Sequence, residues 1–157
     1  MKKKLCALTL IELMITVGIL AIFSAVSIPL VVNNKKTQAI RSESTLVQGF
    51  ISKAKSLAQN PESADAIGYA VVEDSPSQLH IDRLEENQSI ALDEKLRISQ
   101  SSIVNNFAPI KFKTFSGELF SDSGTNPPNI SIVLQSLSDS SNQKTITIKY
   151  PGAVNVN

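Results

Sequence analysis

Leu8-Thr9-Leu10-Ile11-Glu12-Leu13-Met14-Ile15 places one carboxylate at the head of an apolar run that continues to Val32, with Lys2, Lys3 and Lys4 just upstream. A charge at the edge of hydrocarbon is costly to bury and is rarely present without a partner or a role. Leu13 to Val32 holds 20 residues without a charge. At helical rise such a segment spans roughly 30 Å, about the thickness of a bilayer's hydrocarbon core. Ser24 and Ser27 are the soluble interruptions, and both hydroxyls can bond back to helix carbonyls. Lysines ahead of the segment predict a cytoplasmic N-terminus, with the bulk of the chain outside the cytoplasm.

Simpler explanations account for only part of this pattern. A secretory signal has a shorter apolar stretch, of roughly 7–15 residues, ending at small residues. A lipoprotein signal places its cysteine after the apolar stretch, whereas Cys6 comes before it. A generic single-span anchor explains length and orientation, but neither Glu12 nor the proline at position 29, inside the span.

Composition bounds the chemistry. Setting aside the three N-terminal lysines leaves 12 basic residues against 14 acidic ones, with no basic patch of the kind that neutralises phosphates, so nucleic-acid binding is not expected. Cys6 is the only cysteine and His80 the only histidine. Removal of the first residues would leave no thiol for disulfide, metal or nucleophile. His80 alternates with Leu79 and Ile81 and reads as a solvated or edge residue. Asp122-Ser123-Gly124-Thr125-Asn126 is oxygen-rich, but one carboxylate makes it an ordinary polar turn rather than a calcium loop. Glu85-Glu86 and Asp93-Glu94 read as exposed turn charges. No serine has a recognisable base and orienting partner, and no phosphate-cradling glycine pattern is present. No catalytic site, metal or cofactor is therefore expected, and the chain does not read as an enzyme.

The residues around the apolar run resemble the cleavage and methylation segment of type IV prepilins and type II secretion pseudopilins. In that family a short basic leader ends at a small residue, an apolar residue opens the mature chain, and a glutamate follows four residues later. Counting back from Glu12 makes Leu8 the first mature residue and Ala7 the last of the leader. Pro29 then falls where the family commonly carries a helix-kinking proline. Ala7 replaces the commoner glycine, and Leu8 the commoner phenylalanine. The resemblance implies cleavage at Ala7–Leu8 by a prepilin peptidase, N-methylation of Leu8, and assembly roles for Glu12 and Pro29. Glu12 would pair with the amino group released by cleavage, that of a neighbouring subunit in a filament. Partners implied are other pilin or pseudopilin subunits, the peptidase/methyltransferase, an inner-membrane assembly platform and the membrane. Pro29 removes a backbone donor, so a kink or local melting is expected near Ala25.

Beyond the apolar run, Ile40, Val47, Phe50, Ala54 and Leu57 recur at helical spacing, flanked by Ala39 and Leu46. Lys35, Arg41, Glu43, Gln48, Lys53, Lys55 and Gln59 fill the opposite surface, and Asn60-Pro61 stops the helix. From Ala66 the period becomes alternating. Expected strands are Tyr69–Glu73, Gln78–Leu84, Ser89–Leu92, Leu96–Ser99, Ile110–Phe115, Glu118–Phe120, Ile130–Leu137 and Thr145–Tyr150, with a hairpin turn at Ser116-Gly117. Ser121 to Asn129 and Ser138 to Gln143 read as loops. The expected fold is α+β: a long N-terminal transmembrane-amphipathic helix packed on a small antiparallel β-sheet or sandwich, pilin-like. Its parts are a cleaved leader 1–7, a transmembrane half 8–32, an amphipathic half 33–60 and a β domain 61–157. This order of elements is similar to the H-type minor pseudopilins. The expectation is a minor subunit of a type II secretion pseudopilus or type IV pilus-like filament in the bacterial cytoplasmic membrane. Alternatives are a minor pilin of a DNA-uptake or adhesion pilus, and a non-filament single-span periplasmic binding module.

Overall fold

A computed structural model describes residues 9–99, 101–105, 107–121 and 129–156, and leaves the side chains of residues 25–33 aside. The chain divides into two compact units, residues 1–35 and 36–157. One α-helix, α1, is assigned without a break over Leu10–Gln59. Of the kink or local melting expected near Ala25, melting is absent: the backbone stays helical through Pro29. Helical hydrogen bonds on either side of one missing donor hold the turn. The helix stops just before Asn60-Pro61, since the residue ahead of a proline is pushed out of the helical region.

Within residues 36–157, α1 buries Ile40, Glu43, Ser44, Val47, Phe50, Ile51, Ala54 and Ala58, a single stripe at three- and four-residue spacing. Leu46 falls off the stripe and is exposed. Eight strands follow: β1 (Gly68–Ser75), β2 (Gln78–Leu84), β3 (Ser89–Arg97), β4 (Ser101–Ile103), β5 (Ile110–Lys113), β6 (Ile130–Ser136), β7 (Asp139–Lys149) and β8 (Ala153–Val156). They form two four-stranded antiparallel sheets, ordered β3-β2-β1-β5 and β4-β6-β7-β8. The fold is α+β.

One core joins the stripe to the inner faces of both sheets. Tyr69, Val71, Leu79, Ile81, Ile110 and Phe112 come from the first sheet, and Ile132, Leu134, Ile146 and Ile148 from the second. Their alternation along each strand is the period-two pattern of a half-buried sheet. Gly68 is required by close approach. A Cβ there would lie 2.6 Å from the Phe112 carbonyl oxygen across the β1–β5 pair, with the Phe120 ring 2.9 Å away.

Several expected elements change. Ser89–Leu92 and Leu96–Ser99 merge into β3, so Asp93-Glu94 sits in mid-strand, where Glu94 pairs with Lys53 of α1 at 2.7 Å. An irregularity opposite His80 and Asp82 keeps β3 in register. β5 ends at Lys113 because the chain turns there, and Leu119 forms only an isolated bridge to Phe112. The hairpin turn at Ser116-Gly117 is present. The Lys113 N–H donates to the Glu118 carbonyl at 2.8 Å, and Gly117 takes a positive φ of 66°. Ser138–Gln143, expected as a loop, is instead largely strand, because β6 supplies partners to the polar first half of β7. β4 and β8 are additions to the expected strands. Most of the Ser121–Asn129 loop, including Asp122–Asn126, lies outside the described residues.

Candidate functional site: the head of the helix

The site is the start of α1. Thr9 precedes the first helical residue, Leu10, which places Glu12 in the first turn. The Thr9 N–H donates to Glu12 Oε2 at 3.3 Å, and the Thr9 hydroxyl donates to the same oxygen at 3.2 Å. In return the Glu12 N–H donates to Thr9 Oγ1 at 3.3 Å, and the Leu13 N–H reaches the Thr9 carbonyl at 3.2 Å. This is a reciprocal capping box, which satisfies donors that a helix start otherwise leaves unpaired. The carboxylate also meets the positive end of the helix dipole. The spacing Thr9-x-x-Glu12 is that of a cap, a signal that the charge of Glu12 overshadows in the sequence. Cleavage at Ala7–Leu8 would place a new amino group one peptide bond ahead of Thr9. Ala7 and Leu8 themselves lie outside the described residues.

Downstream of the box, every residue from Thr9 to Ser24 is exposed. Ten large apolar side chains are among them, from Leu10 at 78% and Ile11 at 67% to Ile22 at 69% and Phe23 at 67%. The polar groups in this stretch are closed internally: Thr16 Oγ1 donates to the Leu13 carbonyl and Ser24 Oγ to the Leu20 carbonyl, each at 2.8 Å. Satisfied backbone and hydroxyls beneath an apolar surface suit a surrounding of lipid or of other apolar helices. Among the described residues no helix is long and apolar enough to cross a membrane. The side chains of Ser27 and Pro29, in the second part of the expected span, lie outside the described residues.

The chain carries a prokaryotic N-terminal methylation motif. Residues 2–28 match the family model of that description, consistent with a type IV prepilin-like or pseudopilin-like protein. The match implies processing by a prepilin peptidase and assembly with other pilin-type subunits, and it suggests membrane-anchored filament assembly. It covers the N-terminal segment and does not extend to the β domain. No curated protein and no solved structure matches the chain.

Two polar clusters within residues 36–157 have no signal in the sequence. Glu43, assigned to the polar surface by its charge, is 7% exposed. Its carboxylate accepts the Ser99 N–H at 2.8 Å, the Ser99 hydroxyl at 3.3 Å and the Ser101 hydroxyl, pinning α1 to the β3–β4 connection. Such bonds offset the cost of burying the charge. His80 is neither solvated nor at an edge. It sits on β2 between β3 and β1, its side chain 12% exposed, with Nδ1 2.8 Å from Asp74 Oδ1 and Nε2 2.8 Å from Asp82 Oδ1. A neutral imidazole carries one N–H, so both contacts are hydrogen bonds only when both nitrogens bear protons. Glu85 lies in the β2–β3 turn, but its side chain is 16% exposed, bound by Arg83 at 2.9 Å, rather than the exposed charge expected. The Gln88 amide, and behind it Arg83, holds its carboxyl below the usual range. Among the described residues no cluster of His, Cys, Asp or Glu could hold a metal ion.

Proposed function

We propose that this chain is a structural subunit of a type II secretion pseudopilus or type IV pilus-like filament, with no catalytic role of its own. It inserts in the bacterial cytoplasmic membrane with its N-terminus inside and its β domain outside. A prepilin peptidase cuts between Ala7 and Leu8, the new amino group is methylated, and the apolar helix transfers from lipid into a helix bundle. The observation that carries this reading is the unbroken exposure of residues 9–24 within a methylation motif that spans residues 2–28. The two-sheet β domain supports a minor subunit of the H type over a major one.

The chemistry at the helix head follows. In the separate subunit the Glu12 carboxylate is held by Thr9. In the filament the methylated amine of a neighbour's Leu8 is the stronger partner, because opposite charges outweigh neutral donors once water is excluded. The pair fixes the register of apolar helices that could otherwise slide. Pro29 leaves one helix carbonyl without its usual donor and eases local bending during packing. Glu12→Ala should leave membrane insertion intact and sharply lower the yield of assembled filament; an unchanged yield would contradict the pairing.

A further inference from the structure

The β6–β7 hairpin turns on Leu137 and Ser138, between Ser136 and Asp139. Polar groups close the turn. The Ser138 N–H donates to Ser136 Oγ at 3.3 Å, and the Ser141 N–H and hydroxyl donate to Asp139 Oδ1 at 3.1 and 2.7 Å. Leucine has no part in that network and is a poor residue for a tight turn. Leu137 nevertheless stands there 66% exposed, among serines.

Contacts along α1 fix where this tip lies. Glu43 accepts the Ser101 hydroxyl, and Ser101 pairs with Ser136 at the end of β6. Further along, Gln48 donates to the Val154 carbonyl at 3.4 Å and Lys55 to the Gly152 carbonyl at 3.1 Å. Within residues 36–157 the tip therefore stands at the start of the helix, and the turn before β8 toward its end. The bonds from Ser141, and behind them the Lys36 ammonium, hold the Asp139 carboxyl below the usual carboxylate range. The tip also projects, because β8 pairs with β7 only over Ile146–Lys149 and leaves residues 139–145 beyond it. Lys36 opens the unit and follows Val32, the end of the apolar run, by four residues. Fully extended, four residues reach about 14 Å at most.

We propose that in the membrane-inserted subunit this tip rests on the bilayer, Leu137 reaching the edge of the acyl chains and Lys36 meeting anionic lipid headgroups. The partner is a lipid surface, and the apolar run that precedes Lys36 brings it within reach. A headgroup layer is roughly 5–8 Å deep on each side of the hydrocarbon, and the tether to Lys36 is about 14 Å at its longest. An aliphatic side chain beside a lysine and several hydroxyls matches the polarity of that layer, apolar toward the acyl chains and cationic toward the phosphates. The contact holds the β domain against the membrane until the apolar helix leaves lipid for the filament. The inference rests on the membrane insertion proposed above.

The chain has no tryptophan, so one substitution reports one position. The full chain carrying Leu137→Trp is reconstituted in vesicles of phosphatidylcholine and phosphatidylglycerol with brominated acyl chains. Its emission should shift to the blue and be quenched, and leaving out phosphatidylglycerol should weaken both effects. Phe115→Trp is the reference. Phe115 is 78% exposed with a φ of 65°, and its N–H donates to the Ala58 carbonyl at 2.7 Å. Ala58 lies roughly 33 Å along α1 from Lys36, so emission from Phe115→Trp should stay unquenched. No quenching in Leu137→Trp, equal quenching in both variants, or quenching indifferent to phosphatidylglycerol would overturn the proposal. Flotation of the same vesicles after an alkaline wash separates the two readings. Chains that float with the Leu137→Trp emission unquenched lose the docking and keep the insertion, whereas chains that do not float lose both.

Discussion

Residues 10–24 and residues 40–58 belong to one helix and use similar apolar side chains, yet they meet different surroundings. In the second stretch a stripe from Ile40 to Ala58 is buried against two sheets, and polar residues take the rest of the circumference. In the first stretch no face is buried and nearly every side is apolar. A helix with one apolar stripe is completed by its own domain, whereas one apolar all round needs a solvent that is not water. The first stretch is therefore built for what lies outside the chain, and the second for what lies within it.

The sharpest way to break this contrast is a matched pair of truncations. Ile51→Ala opens a cavity in the core and should cost about 2–5 kcal/mol of β-domain stability. Leu20→Ala should change that stability by less than about 0.5 kcal/mol, as for a surface position. Urea unfolding of the detergent-solubilised full chain measures both, and equal effects would erase the distinction.

Next in size is Glu43, the charge inside the buried stripe. Glu43→Ala strands the Ser99 and Ser101 donors and should cost about 2–3 kcal/mol, by the penalty for unpaired buried polar groups. Glu43→Gln keeps an acceptor and should cost less. Equal losses would mean that packing, rather than the carboxylate's bonds, matters there.

Smallest is Phe115, where the expected sign reverses. Phe115→Gly relieves the left-handed backbone and should stabilise the separate subunit by about 1 kcal/mol. The gain should read as a higher unfolding midpoint. A lower midpoint would show that the ring contributes packing to its own domain.

Helical spacing from Ile40 to Ala54 makes the buried stripe legible in the sequence alone, because periodicity is local. Glu43 escapes because its partners Ser99 and Ser101 lie 56 and 58 residues away, and a charge on a helix is by default assigned to water. The polar half of β7 escapes for a similar reason: Asp139–Gln143 has turn composition, and only pairing with β6 makes it a strand. Ser101–Ile103 is too short for alternation to register. Ala153–Val156 does alternate, but the Pro151-Gly152 pair ahead of it reads as an ending. At the helix head the motif and the position of Glu12 are legible. Its bonds to Thr9 require coordinates, although the Thr-x-x-Glu spacing already announces them.

The role proposed for Glu12, heading a helix that other subunits complete, depends on cleavage at Ala7–Leu8. Intact-mass and N-terminal peptide analysis of the chain from membranes tests it most directly. The expected product begins at an N-methylated Leu8 and lacks Met1 to Ala7. A functional protein that still begins at Met1 would contradict it.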